Sequence, residues 1–189
     1  MLDLNDLKRQ GIVIKIDGQP YIVLKSQHAK TAQRRAFVRT TLKNLITGQT
    51  IEKTFNAGDK IEEAEIDKVK ATYLYQKGDQ FYFMNLENFE EMILPEENIS
   101  SKKGFLKEGL EVTILLFEGK PVSLELPAKI SYKVIEAPPA VKGDTTQGIT
   151  TKFVTLETGL KIEAPFFIEK GDEIVVNTET GKYVERKQK

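Results

Sequence analysis

The chain has 189 residues, with 28 Lys+Arg, 28 Asp+Glu, one His, no Cys and no Trp, so its formal net charge is zero. The absence of cysteine excludes disulfide and thiolate chemistry, and a single histidine excludes a metal site built from several His or Cys ligands. No apolar run approaches the roughly 20 residues that cross a bilayer. The start, Met1-Leu2-Asp3-Leu4-Asn5-Asp6, has early acids and no apolar h-region, so the expectation is a soluble, cytoplasmic protein.

Taken in order, short alternating runs recur at 12–16, 21–24, 37–42, 72–75, 81–84, 112–117, 122–126 and 174–177. Between them stand hairpin signals: Asp17-Gly18, Thr47-Gly48, Lys77-Gly78-Asp79, Glu118-Gly119-Lys120, Lys170-Gly171-Asp172 and Thr180-Gly181. Glycine supplies the positive φ that tight hairpins need, and turns at such spacing predict antiparallel sheet. Helix is expected only as about one turn near Glu87 to Met92 and at Pro95-Glu96-Glu97-Asn98.

Two breaks divide the chain. A charged stretch at Glu62-Glu63-Ala64-Glu65-Ile66-Asp67-Lys68 follows the strand-like Glu52 to Phe55, and Leu126-Pro127-Ala128 closes a second block. Three modules are expected, at 1–64, 65–128 and 129–189. Modules of about 60 residues favour small closed barrels, because closure removes exposed edges. The fold class is therefore read as all-β, an SH3-like barrel followed by two five-stranded barrels of the oligonucleotide-binding (OB) type. No internal repeat is strong enough to prove duplication of the last two.

Charge is not evenly spread over these modules. Residues 18 to 51 contain no Asp or Glu, where about five would be expected at the chain's average, yet they hold Lys25, Lys30, Arg34, Arg35, Arg39 and Lys43. Residues 1 to 64 carry 11 Lys+Arg against 7 Asp+Glu, and the remainder carries the opposite excess. A solvated face normally mixes both signs. Systematic removal of carboxylates points to a polyanion as partner, since each carboxylate repels phosphate and each base releases a counterion. The basic window falls on a predicted hairpin, strands at 21–24 and 37–42 with Lys25 to Ala36 between them. At about 3.4 Å per residue its tip could stand some 15 Å beyond the barrel.

Catalytic chemistry is not in view. No G-x-S-x-G, Walker A or G-x-G-x-x-G sequence is present. No carboxylate near His28 in sequence orients it, and Glu62-Glu63, Glu90-Glu91 and Glu96-Glu97 read as solvated surface. The chain reads as a binding factor, not an enzyme, with no cofactor and no metal. An aromatic cluster, Tyr73, Tyr75, Phe81, Tyr82 and Phe83, allows a rival reading as a free single-stranded nucleic-acid-binding protein, although alternating strand aromatics more often form core.

Several segments together resemble the bacterial elongation factor P family over essentially the whole chain. They are Gln27-His28-Ala29-Lys30 leading to Ala36-Phe37-Val38-Arg39, Leu42 to Gly48, Glu52-Lys53-Thr54-Phe55, Thr72 to Tyr75 with Gly78-Asp79 and Phe83-Met84-Asn85, Lys142 to Thr145, and Gly159 to Pro165 with Gly171-Asp172. The resemblance implies three β-barrel domains in an L shape like that of tRNA. It implies a translation factor that enters the ribosome between the peptidyl and exit sites and stimulates peptide-bond formation at stalled polyproline sequences by positioning peptidyl-tRNA. Implied partners are the ribosome, peptidyl-tRNA and the messenger codon in the exit site, with no membrane and a monomeric chain.

Residue by residue, the resemblance puts the tip that meets the tRNA CCA end on Lys30, Thr31, Ala32, Gln33, Arg34 and Arg35, with Lys25, Arg39 and Lys43 on the basic arm. The exit-site codon loop falls on Gly143, Asp144, Thr145 and Thr146. The family tip usually reads Pro-Gly-Lys-Gly or Pro-Gly-Arg-Gly, with a modified central base. Here the modification position is Gln33, which cannot take the lysine or arginine modifications, and the glycines are replaced by Ala32 and Arg34. Arg34 and Arg35 are expected to compensate in an unmodified factor. The altered tip also keeps open a paralogue resembling elongation factor P with other stall substrates.

Overall fold

A computed structural model describes residues 2–9, 11–29, 36–138 and 151–187. The architecture is all-β: an SH3-like domain followed by OB domains, built on three five-stranded sheets. The first sheet runs in the order β4-β3-β2-β1-β5, from β1 (Val13–Ile16), β2 (Gln19–Ala29), β3 (Phe37–Asn44), β4 (Thr50–Asn56) and β5 (Glu62–Glu63). The second is ordered β10-β9-β6-β7-β8, from β6 (Ile66–Lys77), β7 (Gln80–Asn85), β8 (Glu91–Pro95), β9 (Glu111–Phe117) and β10 (Lys120–Glu125). The third is ordered β13-β12-β11-β14-β15, from β11 (Lys129–Glu136), β12 (Thr151–Leu156), β13 (Lys161–Pro165), β14 (Glu173–Asn177) and β15 (Lys182–Arg186). A single α-turn, α1 (Glu96–Ile99), lies among the described residues, with Pro95 extended at its N-cap.

The hairpin signals close antiparallel pairs with one exception, which is corrected: Lys170-Gly171-Asp172 lies in the connection from β13 to β14, which are not neighbours in the third sheet, because β14 pairs with β11. Asp17 and Gly18 both take positive φ, 50° and 77°, closing a two-residue turn between Ile16 and its partner Gln19. Glu118 and Gly119 do the same between Phe117 and Lys120, at 51° and 76°. Positive φ at both central positions gives the turn a twist that matches the strands it joins.

The expectation of a helical turn near Glu87 to Met92 is corrected. Residues 86–90 form a hairpin turn and Glu91–Pro95 is strand β8. Two features exclude helix. Phe89 takes a φ of 58°, and Met92 and Leu94 alternate into the core with period two. Around the turn, Asn85 Oδ1 accepts from the Glu87 N–H at 2.8 Å, so a side chain stands in for the missing helical bonds.

By contact density the chain divides into two compact units. One comprises 1–71, 75–100 and 113–125, the other 72–74, 101–112 and 126–189. In the first unit Leu7, Ile14, Val23, Val38, Leu42, Phe55 and Ile61 form the core of the first sheet. A separate cluster, Leu45, Ala64, Leu115, Phe117 and Val122, joins that sheet to β9 and β10. The charged break at 62–68 is thus more than a spacer: β5 pairs with β1 through Glu62↔Lys15 and Glu63↔Ile14, while Ala64 is buried between them and β6. In the second unit the core gathers Phe105, Ile130, Tyr132, Val154, Leu156, Ile162, Ile168 and Ile174. Tyr132 is fully buried and its hydroxyl donates to the Phe105 carbonyl at 2.5 Å, which satisfies the one polar group it carries inside.

Candidate nucleic-acid interface

The acid-free window folds as the β2–β3 hairpin. Its ladder runs from Tyr21↔Asn44 out to Ala29↔Phe37. On the far side β4 follows β3 along the same length, from Lys43↔Thr50 to Phe37↔Asn56. The lower arm is therefore a three-stranded slab in which Val38 and Thr40 are buried. Thr40 Oγ1 donates to the Lys53 carbonyl at 2.8 Å, so this buried hydroxyl is satisfied.

One extra residue decides which way the arm's cations point. Val23 pairs with Leu42, and Lys25 with Thr41, so Leu24 has no partner and bulges. Along β3 the even residues Val38, Thr40, Leu42 and Asn44 face inward, which leaves Arg39, Thr41 and Lys43 on the outer face. Lys25 lies directly opposite Thr41 and so shares that face; without the bulge it would oppose Thr40 and point into the core. Lys25, Arg39 and Lys43 thus come together on one side of the slab. Among the described residues none of the three is held in a salt bridge. Glu52 of β4 lies opposite Thr41 and so brings one carboxylate to that face. The only histidine, His28, pairs with Val38 in the ladder and is exposed.

The base of the arm rests on a buried amide. Asn44 Nδ2 donates to Gln19 Oε1 at 2.6 Å, and Asn44 Oδ1 accepts from the backbone of Ile46 at 2.8 Å and Thr47 at 3.0 Å. Sequence reasoning missed Asn44 and the bulge at Leu24. An Asn four residues before Gly48 carried a signal for the first, since Asn side chains close turns on their own backbone. Nothing in the local pattern marks the second.

The remaining site residues from the sequence, Lys30, Thr31, Ala32, Gln33, Arg34 and Arg35 at the tip and Gly143, Asp144, Thr145 and Thr146 in the later loop, lie outside the described residues. The aromatic cluster divides. Tyr73, Phe81 and Phe83 are buried, while Tyr75 is 42% exposed and stacks on Tyr82 with ring centroids 4.7 Å apart. Three of five rings are therefore unavailable as a base-stacking platform. Also among the described residues, no helix is long and apolar enough to cross a membrane, and no group of three His, Asp or Glu could hold a metal ion.

The fold places the chain among multidomain proteins that join an SH3-like domain to OB domains. A solved structure described as eukaryotic translation initiation factor 5A from Methanococcus jannaschii has that fold, with a TM-score of 0.53 and 23% identity over 67% of this chain and 90% of that one. Three family models match in order: the elongation factor P KOW-like domain over residues 4–61, the elongation factor P OB domain over 66–124, and the elongation factor P C-terminal domain over 130–186. Elongation factor P of Dictyoglomus thermophilum is 45% identical over 98% of this chain and 100% of its own length. That of Aquifex aeolicus is 44% identical over 98% of this chain and 95% of its own. The chain belongs to the elongation factor P family, and is a translation elongation factor acting in protein biosynthesis.

Proposed function

We propose that this factor binds the ribosome between the peptidyl and exit sites and stimulates peptide-bond formation at polyproline stalls by positioning peptidyl-tRNA. The observation that carries the reading is the braced hairpin whose outer face gathers Lys25, Arg39 and Lys43 within a window free of acids. A rigid cationic arm suits a phosphate backbone, and holding two reactants in line lowers the barrier to their reaction without chemistry from the factor itself. The chain acts as a monomer in the cytoplasm, and the ribosome supplies the catalysis.

In this reading the functional modules are 1–64, 65–128 and 129–189. Lys30, Thr31, Ala32, Gln33, Arg34 and Arg35 meet the CCA end, and Gly143, Asp144, Thr145 and Thr146 meet the exit-site codon. Gln33 at the family's modification position favours a second reading within the same class, a paralogue that relieves stalls at other motifs. A free single-stranded nucleic-acid binder fits less well, because Tyr73, Phe81 and Phe83 are core residues.

Ribosome profiling after depletion tests both readings. Increased occupancy at consecutive prolines is expected. Pauses appearing only at other motifs would favour the paralogue, and unchanged occupancy everywhere would remove the stall-relief role.

A further inference from the structure

Residues 78 to 101 contain six acids, Asp79, Glu87, Glu90, Glu91, Glu96 and Glu97, and no Lys or Arg, where about four bases would be expected at the chain's average. This is the charge inverse of the 18–51 window. The segment comprises β7, its turn, β8 and α1. A neutral solvated face would mix both signs here as well.

Apolar surface stands on the same ground. Phe89 at the turn is 71% exposed and Ile93 on β8 is 41% exposed. Ile93 pairs with Tyr82, on which Tyr75 of the adjoining strand stacks, so Tyr75, Tyr82 and Ile93 lie across three neighbouring strands. Phe89 is held out by a closed turn. Its N–H donates to the Asn85 carbonyl at 3.0 Å, the Asn85 N–H to the Glu90 carbonyl at 2.9 Å, and Asn88 Oδ1 accepts from the Glu90 N–H at 3.0 Å. At a φ of 58° Gly or Asn would serve the turn better than Phe, and burial gives the ring nothing in return.

We propose that this face of the second sheet docks a Lys- and Arg-rich protein surface. Exposed rings beside carboxylates accept guanidinium and ammonium groups, the ring through its negative face and the carboxylates through ion pairs at the rim. Within this segment phosphate would meet six carboxylates and no base, Lys77 and Lys102 standing at its ends, so nucleic acid is not the occupant. A second copy docking this face against itself would oppose acid to acid. The surface thus complements the arm: one takes a polyanion and the other a polycation.

The test is photocrosslinking in cells with the full chain, placing p-benzoylphenylalanine at position 89 and, for reference, at the exposed Lys182. Adducts at 89 are expected on protein, mapped by mass spectrometry to a Lys/Arg-rich surface, about fivefold above the reference position. Glu90→Lys with Glu91→Lys should lower their yield about tenfold, and the milder Glu90→Gln with Glu91→Gln should lower it in the same direction. Adducts on RNA, on a second copy of this chain or on an acidic protein surface would overturn the proposal. So would a yield at 89 no higher than at 182, or one unmoved by both charge variants.

Discussion

Asn44 Nδ2 stands 2.6 Å from Gln19 Oε1, so one buried amide links the first residue of β2 to the last residue of β3. The same side chain accepts two backbone N–H groups from the turn that follows. Asn44→Ala would leave those part-buried donors without their partner, at a cost of about 1–3 kcal/mol. Gln19→Ala removes only one partner from an exposed position and should cost about 1 kcal/mol. Urea unfolding of the two variants measures the difference, and equal losses would remove Asn44 as the keystone of the arm.

Tyr132 gives a prediction in pH. Burial raises its phenol pKa above the usual 10.0, with the Glu157 carboxylate adding to the effect. The neutral form is the one the fold holds, so its contribution is complete below pH 10 and is lost as pH rises above that value, where the unfolded chain releases the proton first. Tyr132→Phe should cost about 1–2 kcal/mol at neutral pH, because the Phe105 carbonyl loses its donor. The variant should also destabilise less steeply than the parent above pH 10. Parallel pH–stability curves for the two proteins would refute the assignment.

The arm's cations predict a salt signature. If Lys25 and Arg39 contact phosphate, Lys25→Ala and Arg39→Ala should each weaken ribosome binding several-fold and reduce the slope of log affinity against log salt by about one. Binding that weakens with an unchanged slope would point to packing as the cause.

At the tip, the proposed function expects an unmodified factor. Arg34→Ala with Arg35→Ala should strongly reduce relief of proline stalls, and Gln33→Ala should reduce it less, because guanidinium forks serve both phosphate and stacking on bases. Intact-mass measurement of the native protein checks the premise. A mass above that of the sequence, mapped to Lys30 or Arg34, would replace compensation by modification.

For the later loop, Asp144→Ala with Thr145→Ala should weaken ribosome association without lowering the unfolding midpoint. Acceptors and donors for base edges would be lost. Undiminished binding and activity would return the segment to a plain surface turn.

Much of the fold was legible because hairpin chemistry is local. Asp17-Gly18 and Glu118-Gly119 announce their turns through two residues each, and alternation such as Phe81, Phe83 and Asn85 exposes the inner face. Strand β8 was not legible, since the acidic run from Glu87 to Glu91 reads as helix until Phe89 breaks it and Met92 and Leu94 are seen to pack. The arm was legible as charge but not as geometry. Composition shows that carboxylates are missing from 18–51, yet which cations share a face depends on the Leu24 bulge, which is visible only in the register of two strands 15 to 20 residues apart.

That unpaired leucine has a consequence for how the chain can change. Strand alternation is a two-beat rhythm, and Leu24 inserts a half-step, so everything distal to it keeps its own phase. Substitutions beyond Lys25 that keep the pairing of Lys25 with Thr41 leave that of Val23 with Leu42 unchanged. Were Leu24 drawn into the ladder opposite Thr41, the beat would be restored, Lys25 would oppose Thr40 and turn toward the barrel interior, and a positive charge would be set against the core.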